Sequence, residues 1–134
     1  MATLDPAALP PAAAAFLRER VLATLTTMRA DGTPHVAPVG FSYDADARLV
    51  RVITFAGSVK ARNAAGGGPA AVCQVDGGRW LTLEGTVAVT DDPERVAAAV
   101  AAYAGRYRQP GERPDRVALE IAVTRIMGPP HAYG

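Results

Sequence analysis

Between Val21 and Arg29 side chains alternate, with Leu22, Thr24, Thr26 and Met28 on one side and Ala23, Leu25 and Thr27 on the other. A period of two belongs to a strand with one face on a core. Ala30-Asp31-Gly32-Thr33 then supplies turn residues, and Pro34 to Tyr43 resumes as a second strand, so the two form a hairpin. Pro38 has no N–H for a central ladder, which puts its strand at a sheet edge or at a bulge. Further strands are predicted at Leu49–Phe55, Ala70–Val75, Trp80–Val89 and Val117–Met127, the middle pair joined through Asp76-Gly77-Gly78. The period lengthens in three places. Pro11 opens a short helix to Arg20, and Asp92 with Pro93 opens an Ala-rich helix to about Tyr107. Between them Ser58 caps a helix over Val59–Ala65 that Gly66 to Gly68 ends. Six strands joined by tight turns rather than helical crossovers predict an α+β domain, mainly antiparallel β and barrel-like. No linker or repeat divides residues 1–134, so a single domain is expected.

Composition narrows the function. Fourteen basic against thirteen acidic residues leave a net charge of +1, which argues against a nucleic-acid surface. No apolar run approaches the ~20 residues of a membrane span, and the start of the chain lacks the basic residues of a signal peptide. A cytoplasmic protein is therefore expected. Cys73 is the only cysteine, which excludes an internal disulfide and a zinc site built on cysteine pairs. Thirteen of the basic residues are arginine, which leaves Lys60 as the sole lysine.

Phosphate loops, G-x-G-x-x-G turns and H-E-x-x-H motifs are absent. Cys73 lies in a strand and reads as an inert thiol. His35 reads as a polar strand residue, and His131 lies in the tail. Any difficult chemistry then falls to a cofactor. The segment from Gly57 to Asn63 is the most informative. A capped helix start bearing Ser58 and Lys60 suits a phosphate or carboxylate, and it equally suits a surface helix with solvated charges. Trp80 is either a core or interface residue or an aromatic wall for a planar ligand, with Arg79 beside it for an anionic group.

Taken together, "VLATLTTMRADGTPHVAPVGFSYD", "VRVITFAGSVKARN" and "AVCQVDGGRWLTLEGTVAV" resemble the split β-barrel flavin and deazaflavin oxidoreductases related to pyridoxamine 5′-phosphate oxidase. The likeness covers residues 12–128. Within that group "QVDGGRWLTLEG", "YAGRYR" and "RIMG" are similar to the actinobacterial F420H2-dependent biliverdin reductases. The resemblance implies a six-stranded split β-barrel and a homodimer with two equivalent sites between subunits. It implies coenzyme F420, with FMN as the alternative, and a ring lying along Pro38, Val39, Gly40 and Phe41 beside Thr54 of the neighbouring strand. Ser58, Lys60 and Asn63 match the family's S-x-K-x-x-N motif, whose lysine meets the cofactor phosphate. Arg79 and Trp80 match a strand start next to the cofactor. The implied reaction is hydride transfer from reduced deazaflavin to a biliverdin-like tetrapyrrole. Two other readings remain: an FMN-binding oxidase or reductase, and a non-catalytic protein that binds F420 or a tetrapyrrole. No catalytic side chain and no metal ligand is assigned, and neither a membrane nor nucleic acid is an expected partner.

Overall fold

The computed structural model describes residues 2–130 and Tyr133, so the expectation of a tail around His131 lies outside the described residues. Eight strands form one wholly antiparallel sheet: β1 (Ala2–Leu4), β2 (Ala23–Met28), β3 (Pro34–Val39), β4 (Ser42–Asp44), β5 (Leu49–Phe55), β6 (Pro69–Asp76), β7 (Arg79–Thr90) and β8 (Arg116–Gly128). Helices α1 (Pro11–Arg18), α2 (Val59–Ala65) and α3 (Pro93–Arg106) complete the chain. Strand order is β3-β2-β6-β7-β8-β5-β4, with β1 added to the far end of β8. The two ends of this path do not pair with each other, which is the arrangement of a split barrel.

The expected six strands become eight for two local reasons. Residues 34–43 change neighbours midway: Pro34–Val39 pair with β2, whereas Ser42–Asp44 pair with β5. Gly40 and Phe41 make the crossing. β1 is three residues long, too short for a period to show in sequence. Pro38 sits opposite Thr24 on the terminal strand of the path, at the edge that its missing N–H requires.

Alternate strand positions build the core. Leu25, Val50, Val52, Val72, Leu81, Leu83, Leu119, Ile121 and Ile126 are all essentially inaccessible, and Phe16 of α1 closes one end. Long β7 and β8 bend at a register shift between Glu84 and Gly85. A Cβ on Gly85 would lie 1.9 Å from the Ala122 carbonyl oxygen, so only glycine permits that approach. The opposite sheet face is uncharged across β3, β2 and β6. Pro38, Thr24, Cys73 and Thr82 stand in register there, and Val36 and Val75 are more than half exposed. Among the described residues no helix is long and apolar enough to cross a membrane.

Candidate functional site

The site grows from the junction of β5 and α2. Ser58 is buried, and its Oγ accepts hydrogen bonds from the Ala61 amide at 3.1 Å and from Thr54 Oγ1 at 3.0 Å. This cap starts a helix too short to persist alone and fixes the first turn, from which Lys60 reaches a cleft. The cleft has a volume of about 400 Å³ and occupies the split of the barrel. Pro38, Val39 and Gly40 form one wall, and Val52 to Phe55 of β5 form the other. Tyr103 of α3, the loop residues Arg108 to Arg113 and Arg116 at the start of β8 complete it.

The electrostatics of this cleft are one-sided. Lys60, Arg108, Arg113 and Arg116 line it, and no aspartate or glutamate does. Arg113 donates to Asp115 Oδ1 at 2.7 Å, and its guanidinium lies 4.0 Å from the centroid of the Phe55 ring. That hydrogen bond holds the Asp115 carboxyl below its usual range. Lys60, Arg108 and Arg116 have no acidic partner among the described residues. Unpaired cations around a concave surface fit an anionic ligand, and the volume falls in the usual range of small-molecule pockets. No group of side chains able to hold a metal ion occurs among the described residues.

Five of the ten site residues expected from sequence line this one cleft: Pro38, Val39, Gly40, Thr54 and Lys60. Ser58 stands behind Thr54 as the cap. Phe41 is buried beneath the Arg106 guanidinium, 4.7 Å from its ring centroid. Asn63 donates from Nδ2 to Thr27 Oγ1 at 3.1 Å and so ties α2 to β2 rather than facing the cleft. Arg79 and Trp80 lie elsewhere in the chain. Arg79 forks onto Glu19 at 2.6 and 3.0 Å, reaches Asp76 at 2.8 Å and covers the Phe16 ring at 4.7 Å. The Glu19 carboxylate pushes the guanidinium pKa further up, and Arg79 in turn lowers that of Glu19. Half-buried Trp80 occupies the outward side of β7, in register with Val75.

Sequence reasoning missed Tyr103, Arg108, Arg113 and Arg116. In the chain the three arginines are interleaved with Glu112 and Asp115, so the loop reads as balanced. Only the fold turns the arginines toward the split. "YAGRYR" was a usable signal, since two of its residues, Tyr103 and Arg108, line the cleft.

Comparison with known proteins agrees with this geometry. The chain matches the pyridoxamine 5′-phosphate oxidase family model over residues 9–128. It is 52% identical over 116 residues to an F420H(2)-dependent biliverdin reductase of Mycobacterium tuberculosis (strain CDC 1551 / Oshkosh), covering 87% of this chain and 85% of that relative. A solved F420 reductase superposes with a TM-score of 0.69 at 26% identity, covering 84% of this chain and 94% of the other. The conserved hypothetical protein Rv2991 of Mycobacterium tuberculosis superposes with a TM-score of 0.76 at 21% identity, over 96% and 89% of the two chains, and so shares the fold. A split antiparallel barrel, a cationic cleft in its opening and a family match over nearly the whole length lead to one conclusion: the chain belongs to the pyridoxamine 5′-phosphate oxidase family.

Proposed function

We propose that this protein is an F420H2-dependent reductase whose acceptor is biliverdin or a biliverdin-like tetrapyrrole. The observation that carries the reading is a cleft with four cations and no acid, in a chain 52% identical to an enzyme of that activity. Lys60 would meet the cofactor phosphate, and the arginines at 108, 113 and 116 would serve anionic groups of cofactor or acceptor. Pro38 to Gly40 and Val52 to Phe55 would flank its ring. When bound, reduced F420 supplies the hydride that the acceptor takes up. The protein orients ring and acceptor and narrows the access of water between the two walls. No side chain of the cleft is assigned as the acid.

A homodimer in the cytoplasm completes the reading. The uncharged face of β3, β2 and β6 joins cleft-lining Pro38 at one border to Trp80 at the other, through Thr24, Cys73 and Thr82. A second copy packed on that face by a two-fold axis brings Trp80, with Arg79 beside it, toward the partner's cleft. A chain of this size buries a modest core and gains from such an interface.

The test is anaerobic mixing of protein, F420H2 and biliverdin, followed by the return of oxidised F420 absorbance and the appearance of bilirubin. Coupled changes in both signals are expected. Tight binding of F420 with no oxidation of F420H2 by biliverdin or any quinone would instead identify a carrier.

A further inference from the structure

Arg106, the last residue of α3, is half-buried and has no carboxylate partner among the described residues. Its guanidinium is instead surrounded by neutral acceptors from three separate parts of the chain. Nε donates to the Glu19 carbonyl at 2.9 Å, Nη1 to the Phe41 carbonyl at 2.7 Å, and Nη2 to Gln74 Oε1 at 2.5 Å and the Val21 carbonyl at 3.5 Å. The same group lies over the rings of Phe41 and Tyr107, 4.7 and 5.0 Å from their centroids. Gln74, wholly inaccessible, uses its Nε2 on the Phe16 carbonyl and thereby presents Oε1 to the arginine. Half-burying a cation with no carboxylate in ion-pair contact is costly, so its place needs an explanation beyond surface charge.

The explanation lies one residue from the cleft. β3 is an edge strand, hydrogen-bonded to β2 on one side only. Its end at Gly40 and Phe41 leaves β2 to cross toward β5, so sheet pairing no longer holds it there. At this point α3 takes over. Arg106 binds the Phe41 carbonyl, while Tyr103 and Tyr107 pack so tightly on Gly40 that a Cβ there would lie 2.9 to 3.1 Å from their rings. The Tyr107 hydroxyl donates to the Val21 carbonyl at 2.8 Å, which anchors that ring to the segment before β2.

We infer that Arg106 is a positioning residue that fixes the Pro38–Gly40 wall of the cleft by clamping Phe41 to α3, β6 and the segment between α1 and β2. Arg106 does not line the cleft itself. The ligand consequence rests on the F420 reading above, whereas the clamp does not.

The experiment compares wild type, Arg106→Met and Arg106→Lys by hydrogen-exchange mass spectrometry, F420 titration and steady-state turnover. In Arg106→Met, exchange accelerates in the peptide spanning residues 38–42 and stays unchanged in 117–127. F420 affinity falls about tenfold or more, because the positioned wall is lost, while turnover at saturating F420H2 falls less. Lysine restores one donor of the fork and recovers part of both signals. Uniform acceleration over the whole sheet, or F420 affinity within about twofold of wild type in a folded variant, overturns the inference. If wild type itself does not bind F420, the cofactor reading fails and the exchange pattern alone decides the clamp. If the methionine variant does not fold, the lysine variant carries the same comparison with a smaller expected loss.

Discussion

Two corners of this molecule carry cations beside a strand, and they use them in opposite ways. At the start of β7, Arg79 is neutralised by Glu19 and Asp76 and stacked on Phe16. In the split of the barrel, Lys60, Arg108 and Arg116 have no acid within ion-pair distance among the described residues, and only Arg113 is paired. The first arrangement tethers β7 to the end of α1, and solvent screens exposed pairs of this kind so that each contributes little to stability. The second holds like charges around a concave surface, a mutual repulsion that an anionic ligand relieves. Cations thus serve structure at one corner and, on the proposed reading, ligand binding at the other. What separates them is the placing of acidic partners, not the arginine count.

The largest effect that sharpens this contrast belongs to Lys60. Lys60→Ala removes a charge-assisted contact of about 1.5–3 kcal/mol, which lowers F420 affinity roughly tenfold to a hundredfold. Turnover at saturating F420H2 is expected to change much less, since in the proposed function Lys60 meets the anionic end rather than the reacting ring. Lys60→Arg recovers only part of the loss. Unchanged affinity in the alanine variant would show the charge of the Ser58–Asn63 segment to be solvated only.

Arg108→Ala and Arg116→Ala come next. Each is expected to weaken F420 binding by about threefold to tenfold and to flatten its dependence on salt, because the attraction is partly screened. Titrations at low and moderate ionic strength check this, and variants with the wild-type salt dependence would break the contrast. Trp80→Ala tests the dimer from the other corner. Its expected loss of F420 affinity is several-fold and accompanies weaker self-association in sedimentation, whereas Arg79→Ala costs less than about threefold because that charge is already neutralised. A monomeric wild type that binds F420 fully contradicts the dimeric site.

The smallest effect is on acid stability. Glu19, Asp44 and Asp115 have pKa values lowered in the folded state: Glu19 by Arg79, Asp44 by the Ala47 amide and Arg51, and Asp115 by Arg113. A lowered folded pKa adds stability that is present above the unfolded pKa and is lost as pH falls through the folded one. Denaturation midpoints are therefore flat near neutrality and decline below the ordinary carboxylate range. Glu19→Gln makes that decline slightly shallower. A variant whose acid limb superimposes on wild type would remove the Glu19–Arg79 pair from the account.

Much of the fold was legible because its signals are local. The alternation of residues 21–29 put Ala23, Leu25 and Thr27 together on one face, which the fold buries, and Pro38 required an edge or a bulge, of which the structure has the edge. Ser58 and Asp92 cap the helices that they were expected to cap, each accepting from the amide three residues on. The crossing at Gly40 was not legible, since it depends on two tyrosines more than sixty residues away. The candidate site divides in the same way. Lys60 was visible as the sole lysine behind a helix cap. Arg108 and Arg113 acquire meaning only when the loop after α3 folds onto the cleft, and Arg116 only when β8 pairs with β5 and sets it opposite Phe55. Asn63 and Arg79 fit a motif in the chain, yet within one chain their side chains bind Thr27, Glu19 and Asp76.

The central claim is that the cleft selects an anionic deazaflavin, and parallel titration of wild type with F420 and FMN at one salt concentration tests it most directly. Fluorescence quenching of F420 reports its binding, and flavin fluorescence reports that of FMN. Saturable binding of F420 is expected, tighter than that of FMN and weakened by Lys60→Ala. Equal or tighter binding of FMN contradicts it and moves the protein to the FMN-dependent side of its family.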